Sequence, residues 1–459
     1  MRMKLRRRTL LLVSLAALLA GLSRVPMAAQ SGARPAAPAA GAATATAQAN
    51  PQQPYNLPPD KRAKAIALSR IRNMLDIAGS LWGIAVIWLL LATRGAAGLE
   101  GWAQKISGSR WIQGVVFFAA FLLTTSLASL PLDWIGHHYE RAYGISVQGW
   151  DGWFGDAAKA LGLTILFGAP ILLLFHWIVR RWPRRYWLGI WLVTIPILLL
   201  VLFAEPVVIE PMFNTFEPLS QSNPALVEEL EKVVARTGTN IPPDRMYLMK
   251  ASEKTNGLNA YVSGIGATRR IVVWDTTAGR IPNGEVLFIF GHESGHYVLH
   301  HIWKGFAGTV VALFFIYWAC AGFAAWIVKR FGAKWTGLKP EDSIGQQPAL
   351  SSRAGFVVLL LTISIAGLVL EPAGNAFSRH FEHQADVYGQ EAIHGIVPDP
   401  QKTAVAAFND LGEAWLEDPD PSPLIEFWLY SHPSIEHRAN FALHYDPWAN
   451  GGRGEFFKN

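Results

Sequence analysis

The run from Val286 to His301 contains His292-Glu293-Ser294-Gly295-His296 on a helix-forming background. A spacing of four residues puts both imidazoles on one helical face, one turn apart, where they can share a metal ion, and Glu293 beside them can reach a water on that ion. The bland alternative is a pair of histidines satisfied by their neighbours. A catalytic zinc takes three protein ligands and keeps the fourth position for water. In one class of zinc proteases the third ligand would be a histidine at position 302; Ile302 stands there and excludes that class. The other common solution is a glutamate from a separate helix, and the segment from Asn375 to Asp386 offers Glu382. Asp386, four residues on, faces the same way and can accept a ring N–H from a ligand histidine, fixing its tautomer. His380 and His383 differ from Glu382 by one or two positions and point elsewhere on the helix. His300 and His301 read as capping or interfacial groups and are left out of the site. The expected centre is Zn2+ on His292, His296 and Glu382, with Glu293 as general base.

These residues need elements to hold them, and composition says where those elements sit. Of 459 residues, 51% are hydrophobic and only 16% charged, and 19 are Trp, a balance wrong for a soluble enzyme and right for a bilayer protein. Six segments have the ~20 apolar residues that a crossing needs: about Met74 to Thr93, Trp111 to Leu130, Ala158 to Ile178, Tyr186 to Phe203, Ala307 to Val328 and Ala354 to Leu370. Polar stretches follow the fourth and sixth spans. An even number of crossings separates them, so the two motif-bearing halves share one membrane face. Helices are expected over Asn223 to Thr237 and Asn283 to His301, and strands over Arg245 to Met249, Ala260 to Ser263 and Arg270 to Trp274. The fold class that follows is an α-helical membrane protein, a multi-span bundle with a split α+β metalloprotease domain.

The organisation read from the sequence is a signal peptide or first membrane helix (1–30), an Ala/Pro/Gln-rich disordered tether (31–58), a four-span region (59–204), the first half of the metal domain (205–306), two further spans (307–370) and the second half (371–459). The net charge of +6 does not call for nucleic acid, because the basic residues flank apolar runs, as in Arg180, Arg181, Arg184 and Arg185. The single cysteine, Cys320, excludes an intrachain disulfide and any multi-cysteine zinc site.

With His292-Glu-Ser-Gly-His296 and Ser378-Arg-x-x-Glu382-x-x-Ala-Asp386 in hand, the chain resembles the integral-membrane CAAX prenyl protease 1 family of gluzincin-type zinc metallopeptidases. Glu210-Pro-Met-Phe-Asn-Thr-Phe-Glu-Pro-Leu219, Asn259-Ala-Tyr-Val-Ser-Gly264, Arg270-Ile-Val-Val-Trp-Asp275 and Tyr430-Ser-His-Pro-Ser-Ile-Glu-His-Arg438 are similar to the same family. The resemblance covers most of the chain after about Tyr55. It implies a zincin-like domain, His432 and Arg438 flanking the substrate carbonyl, and an edge strand at Asn259, Ala260 and Tyr261 that pairs with an extended peptide. It further implies a chamber walled by the spans that admits tail-like peptides. Ser294 departs from the Leu or Met usual there, at a position that need not touch the metal. The expected function is peptide hydrolysis by a zinc endopeptidase acting on membrane or exported proteins. The rival classes are a non-catalytic zinc-binding membrane protein and a transporter. The signal-like start points to a bacterial inner membrane. Basic residues after spans one, three and five favour a periplasmic catalytic face, against a basic cluster at Lys61, Arg62, Lys64, Arg70 and Arg72.

Overall fold

Each of the six apolar runs lies within a single helix of the computed structural model, which describes residues 54–336, 348–449 and 451–458. The signal-like segment, the tether as far as residue 53, and Lys339 lie outside the described residues. Counting helices of seven residues or more, the membrane part comprises α1 (Pro59–Ala92), α2 (Gly95–Ile106), α3 (Arg110–Ala142), α4 (Trp150–Arg181), α5 (Tyr186–Ala204), and further along α8 (His301–Thr336) and α9 (Arg353–Ala392). The twelve-residue α2 is too short to cross; the other six are long and apolar enough. Their outer faces leave Trp111 (69% exposed) and Leu200 (67%) uncovered, which is costly in water and favourable in hydrocarbon. Packing runs α1, α3, α4, α5, α8, α9 and back to α1, a closed ring of spans.

The polar stretches build a second layer at one end of that ring. Between α5 and α8 lie β1 (Phe216–Pro218), α6 (Pro224–Thr237), β2 (Met246–Met249), β3 (Ala260–Ser263), β4 (Arg270–Trp274) and α7 (Asn283–Val298). After α9 come α10 (Pro400–Trp415), α11 (Pro423–Leu429) and α12 (Ile435–His444). The sheet order is β1-β2-β4-β3, with β2 and β4 parallel and the outer pairs antiparallel. Three of the strands follow the apolar runs of the sequence. The three-residue β1, closed by Pro218, carries too little pattern to be read and exists through its pairing with β2. Arg245 ends a 3-10 turn, so β2 begins one residue later than expected. Leu226 and Leu230 of α6, Ile271 and Val273 of β4, Phe288 and Phe290 of α7 and Phe408 of α10 close the core of this domain.

Two boundaries differ from expectation in ways that matter for the site. The helix expected to run through His301 stops at Val298, because His300 adopts a left-handed conformation (φ 58°) and turns the chain; His301 then opens the fifth span. The sixth span does not stop at Leu370. It continues through Pro372 as one 40-residue helix, ~60 Å long at 1.5 Å per residue, so α9 carries the Glu382 segment out of the membrane on the rod that crosses it. The domain is tied to the span ends by Arg72, which donates to Glu140 (2.7 Å) and to the Trp415 carbonyl (2.8 Å), and by the Lys254–Asp156 ion pair (2.5 Å).

Candidate active site

Helices α7 and α9 pack against one another along the face that carries His292 on one and Glu382, Asp386 and Gly389 on the other. These α9 positions are spaced by four and three, one stripe of a helix. The approach is close because glycines face each other: a Cβ on Gly389 would stand 2.7 Å from the His292 backbone nitrogen, and one on Gly291 would stand 3.0 Å from the Gly389 carbonyl oxygen. The two half-motifs of the sequence are thereby brought into one place.

His292, His296 and Glu382 are all buried, and one ligand atom from each lies within 4.8 Å of the others. The two Nε2 atoms are 3.1 Å apart; Glu382 reaches His292 Nε2 at 3.3 Å through Oε2 and His296 Nε2 at 3.5 Å through Oε1. Tetrahedral bonds of about 2.0–2.1 Å separate neighbouring ligand atoms by roughly 3.3 Å, so the spacing suits one small cation. Glu382 Oε2 is enclosed with no aligned hydrogen-bond donor, although His432 Nε2 approaches to 2.9 Å. Imidazole nitrogens and a carboxylate oxygen converging on one point fit a divalent metal of the zinc type.

The surroundings set the orientation of these groups. Asp386 Oδ1 accepts from His292 Nδ1 at 2.8 Å, leaving Nε2 to face the centre. Arg438, 3% exposed on α12, donates to both Asp386 oxygens, through Nε at 2.8 Å and through its terminal nitrogen. The guanidinium also lines the cavity. Burial alone would lower the His292 pKa, but Asp386 and Glu382 outweigh it and push it up to about 9. His432 faces only one of those carboxylates, and burial pushes it down to about 4. Arg438 is held charged, because Asp386 overcomes the cost of its burial.

One cavity is lined by Asn259, Phe288, Ile289, His292, Glu293, His296, Glu382, Phe408, Leu411, His432 and Arg438. The structure thus brings eight of the ten sequence-derived positions to one concave surface or directly behind it, Asp386 being behind. Ala260 and Tyr261 do not line the cavity. They lie in β3, the terminal strand of the sheet, and the Tyr261 hydroxyl donates to Glu210, which also pairs with Arg270 (2.8 Å). The Tyr261 side chain is thus turned into the domain. The apolar wall of Phe288, Ile289, Phe408 and Leu411 was not singled out from the sequence, where it is indistinguishable from core. His301 reads from the sequence as a capping or interfacial group, yet its Nδ1 lies 3.2 Å from His296 Nδ1. Its position five residues past His296 gives no helical signal, because the turn at His300 places it.

Comparison with known proteins finds two family models in succession along the chain. Residues 47–215 match the family model described as CAAX prenyl protease N-terminal, five membrane helices, and residues 220–446 match peptidase family M48. An uncharacterised metalloprotease of Bacillus subtilis is 34% identical over 386 residues, 84% of this chain and 86% of that protein. The CAAX prenyl protease 1 homolog of Dictyostelium discoideum is 27% identical over 345 residues, 74% and 75% of the two chains. The CAAX prenyl protease 1 of Saccharomyces cerevisiae is 26% identical over 334 residues, 71% of each. The crystal structure of S. mikatae Ste24p shares the fold, with a TM-score of 0.71 at 23% identity, covering 84% of this chain and 89% of that one.

Proposed function

The chain belongs to peptidase family M48, in the branch of membrane metalloproteases that includes the CAAX prenyl proteases, and on that premise we propose that it is a zinc endopeptidase cleaving extended segments of membrane or exported proteins. The observation that carries this reading is Glu293 opening on the same cavity as the His292, His296 and Glu382 donor set. A purely structural zinc site is closed by a fourth protein ligand and has no use for a base beside it.

His292, His296 and Glu382 would hold the zinc, which when bound supplies Lewis acidity at the scissile carbonyl and makes water acidic enough to react near neutral pH. The Glu293 carboxylate takes the proton of the attacking water as its oxygen adds to the carbonyl carbon, then delivers that proton to the departing amide nitrogen. His432 faces the developing oxyanion. Its Nδ1 lies 3.4 Å from Ser431 Oγ, so a hydroxyl donated there leaves Nε2–H on the cavity side, 2.9 Å from Glu382 Oε2, and a neutral ring remains a donor that an oxyanion beside Glu382 could share. Arg438 keeps Asp386 ionised and oriented on His292 and presents positive charge to the same region. A peptide laid along β3 from Asn259 through Tyr261 would be held by backbone hydrogen bonds, with one apolar side chain against Phe288, Ile289, Phe408 and Leu411.

We place the protein in a bacterial inner membrane with the site periplasmic. The helix ends that carry Arg110, Lys334 and Arg353, with Arg94 in the turn after α1, meet at the end opposite the sheet: Arg94 donates to the Lys334 carbonyl (2.7 Å), and Arg353 donates to the Arg110 carbonyl (3.0 Å). Two members of the opposing basic cluster are engaged within the protein, Arg72 by Glu140 and Lys61 by Glu413. The positive-inside rule then favours the sheet-distal end as cytoplasmic.

The test is cleavage of an unfolded reporter peptide and of a farnesylated CAAX peptide by detergent-purified protein, with Glu293→Gln and a chelator as controls. Cleavage that disappears in both controls supports the proposal, and the preferred peptide names the substrate class. No cleavage of either with stoichiometric zinc bound would overturn it in favour of a non-catalytic zinc protein.

A further inference from the structure

Behind His296 stands a group that the catalytic reading does not use. His301 is 4% exposed, its ring is stacked on Phe381 (centroids 4.3 Å apart, planes 7° apart), its Nδ1 lies 3.2 Å from His296 Nδ1, and its Nε2 lies 3.0 Å from Gln384 Oε1. Gln384 sits on α9 between Glu382 and Asp386. His292 has a carboxylate behind it to fix its tautomer; behind His296 there is this pair instead.

We infer that His301 and Gln384 form a neutral relay that positions His296 as a metal ligand, an inference that rests on the zinc reading above. With both rings neutral, only two proton arrangements satisfy both contacts of the trio. In one, Gln384 Oε1 accepts from His301 Nε2–H, the bare His301 Nδ1 accepts from His296 Nδ1–H, and the His296 Nε2 lone pair faces Glu382 and His292. In the other, the amide donates, every proton moves one place along, and His296 Nε2 carries a hydrogen where a ligand needs a lone pair. The Gln384 amide, with Oε1 at 3.0 Å from His301 Nε2, is oriented as in the first. The carboxamide, not a histidine proton on its own, is therefore the end that determines the wiring. Stacking on Phe381 holds the intermediate ring in plane, and the turn at His300 brings it within reach. Because His301 is also the first residue of the fifth span, the orientation of one metal ligand is set by where a membrane helix begins.

The relay makes a chemical demand at position 384 that packing alone does not: an acceptor. Zinc affinity of the full-length protein in detergent, measured by chelator competition, and the visible absorption of the cobalt-substituted protein should separate Gln384→Glu from Gln384→Leu. The glutamate, which can only accept, is expected to keep the wild-type affinity or tighten it, with an unchanged cobalt spectrum. The leucine, and likewise His301→Phe, is expected to weaken zinc about tenfold to a hundredfold and to alter the cobalt bands. His300→Asn, which tolerates the left-handed turn, should leave both readouts as in the wild type and so controls for disturbance of the helix junction. Thermal unfolding of the zinc-free proteins shows whether a variant has simply lost its fold. If Gln384→Leu and His301→Phe fold and bind zinc as tightly as the wild type, or if glutamate and leucine at 384 weaken it alike, the relay is overturned. A wild-type protein that binds no zinc through His292, His296 and Glu382 would overturn the metal-centre reading itself, and the relay with it.

Discussion

At the scale of single residues, the groups of the site hold one another in place, so removal of a partner should act through the groups it holds. Asp386→Asn leaves the His292 ring without a carboxylate behind it and should weaken zinc by about tenfold to a hundredfold, read by chelator competition. Glu293→Gln should lower kcat by about a hundredfold to ten-thousandfold with zinc content unchanged, read by turnover and metal analysis of the same sample. Glu285, in the first turn of α7, is a different case. Burial and its hydrogen bond with Asp410 push its carboxyl from the ordinary 4.5 up to about 8. A folded pKa above the unfolded one means that the folded protein binds the extra proton, so this stabilisation is complete below about 4.5 and is lost as pH rises through about 8. Stability should therefore decline across that interval. Glu285→Gln should flatten the decline, as read by thermal unfolding at several pH values. A decline of equal slope in the variant would assign it to other groups.

At the scale of elements, the approach of α7 to α9 decides whether the half-motifs meet. Gly389→Ala would drive a methyl group into the His292 backbone and should cost about 1–3 kcal/mol of stability while raising the amount of zinc needed for half-maximal activity. Unfolding and zinc titration of the variant check both. The sequence made much of these elements legible. Apolar runs mark six spans, and the spacings 292/296 and 382/386 mark two helical faces. The turn at His300 was not legible, since the modest enrichment of histidine in left-handed backbone does not single out one of 13 histidines. The continuation of the sixth span through Pro372 was hidden because apolarity ends near Leu370 while helical hydrogen bonding does not.

At the scale of the whole molecule, the domain sits at one end of a ring of spans, and its side of the membrane is open to a direct measurement. On a Cys320→Ser background, Lys402→Cys lies at the sheet end and Arg181→Cys at the opposite end of α4. A membrane-impermeant maleimide added to intact spheroplasts should label the first and not the second. The reverse pattern would put the site in the cytoplasm and overturn the orientation proposed here.

The sequence by itself determined the chemistry and the solvent: a zinc-type donor pattern with a base next to it, and enough apolar length for six crossings. Both are local properties, set by residue type and by the 3.6-residue period of a helix. Tertiary structure decided what depends on distance across the chain. It set the 3.1–3.5 Å convergence of His292, His296 and Glu382, the clasp of Arg438 on Asp386, the facing of Tyr261 toward Glu210, and the place of His301 behind His296. The reason is that a spacing of 3 or 4 along a helix fixes direction, whereas contact between residues far apart in sequence is fixed by packing, here by facing glycines and the left-handed turn at His300.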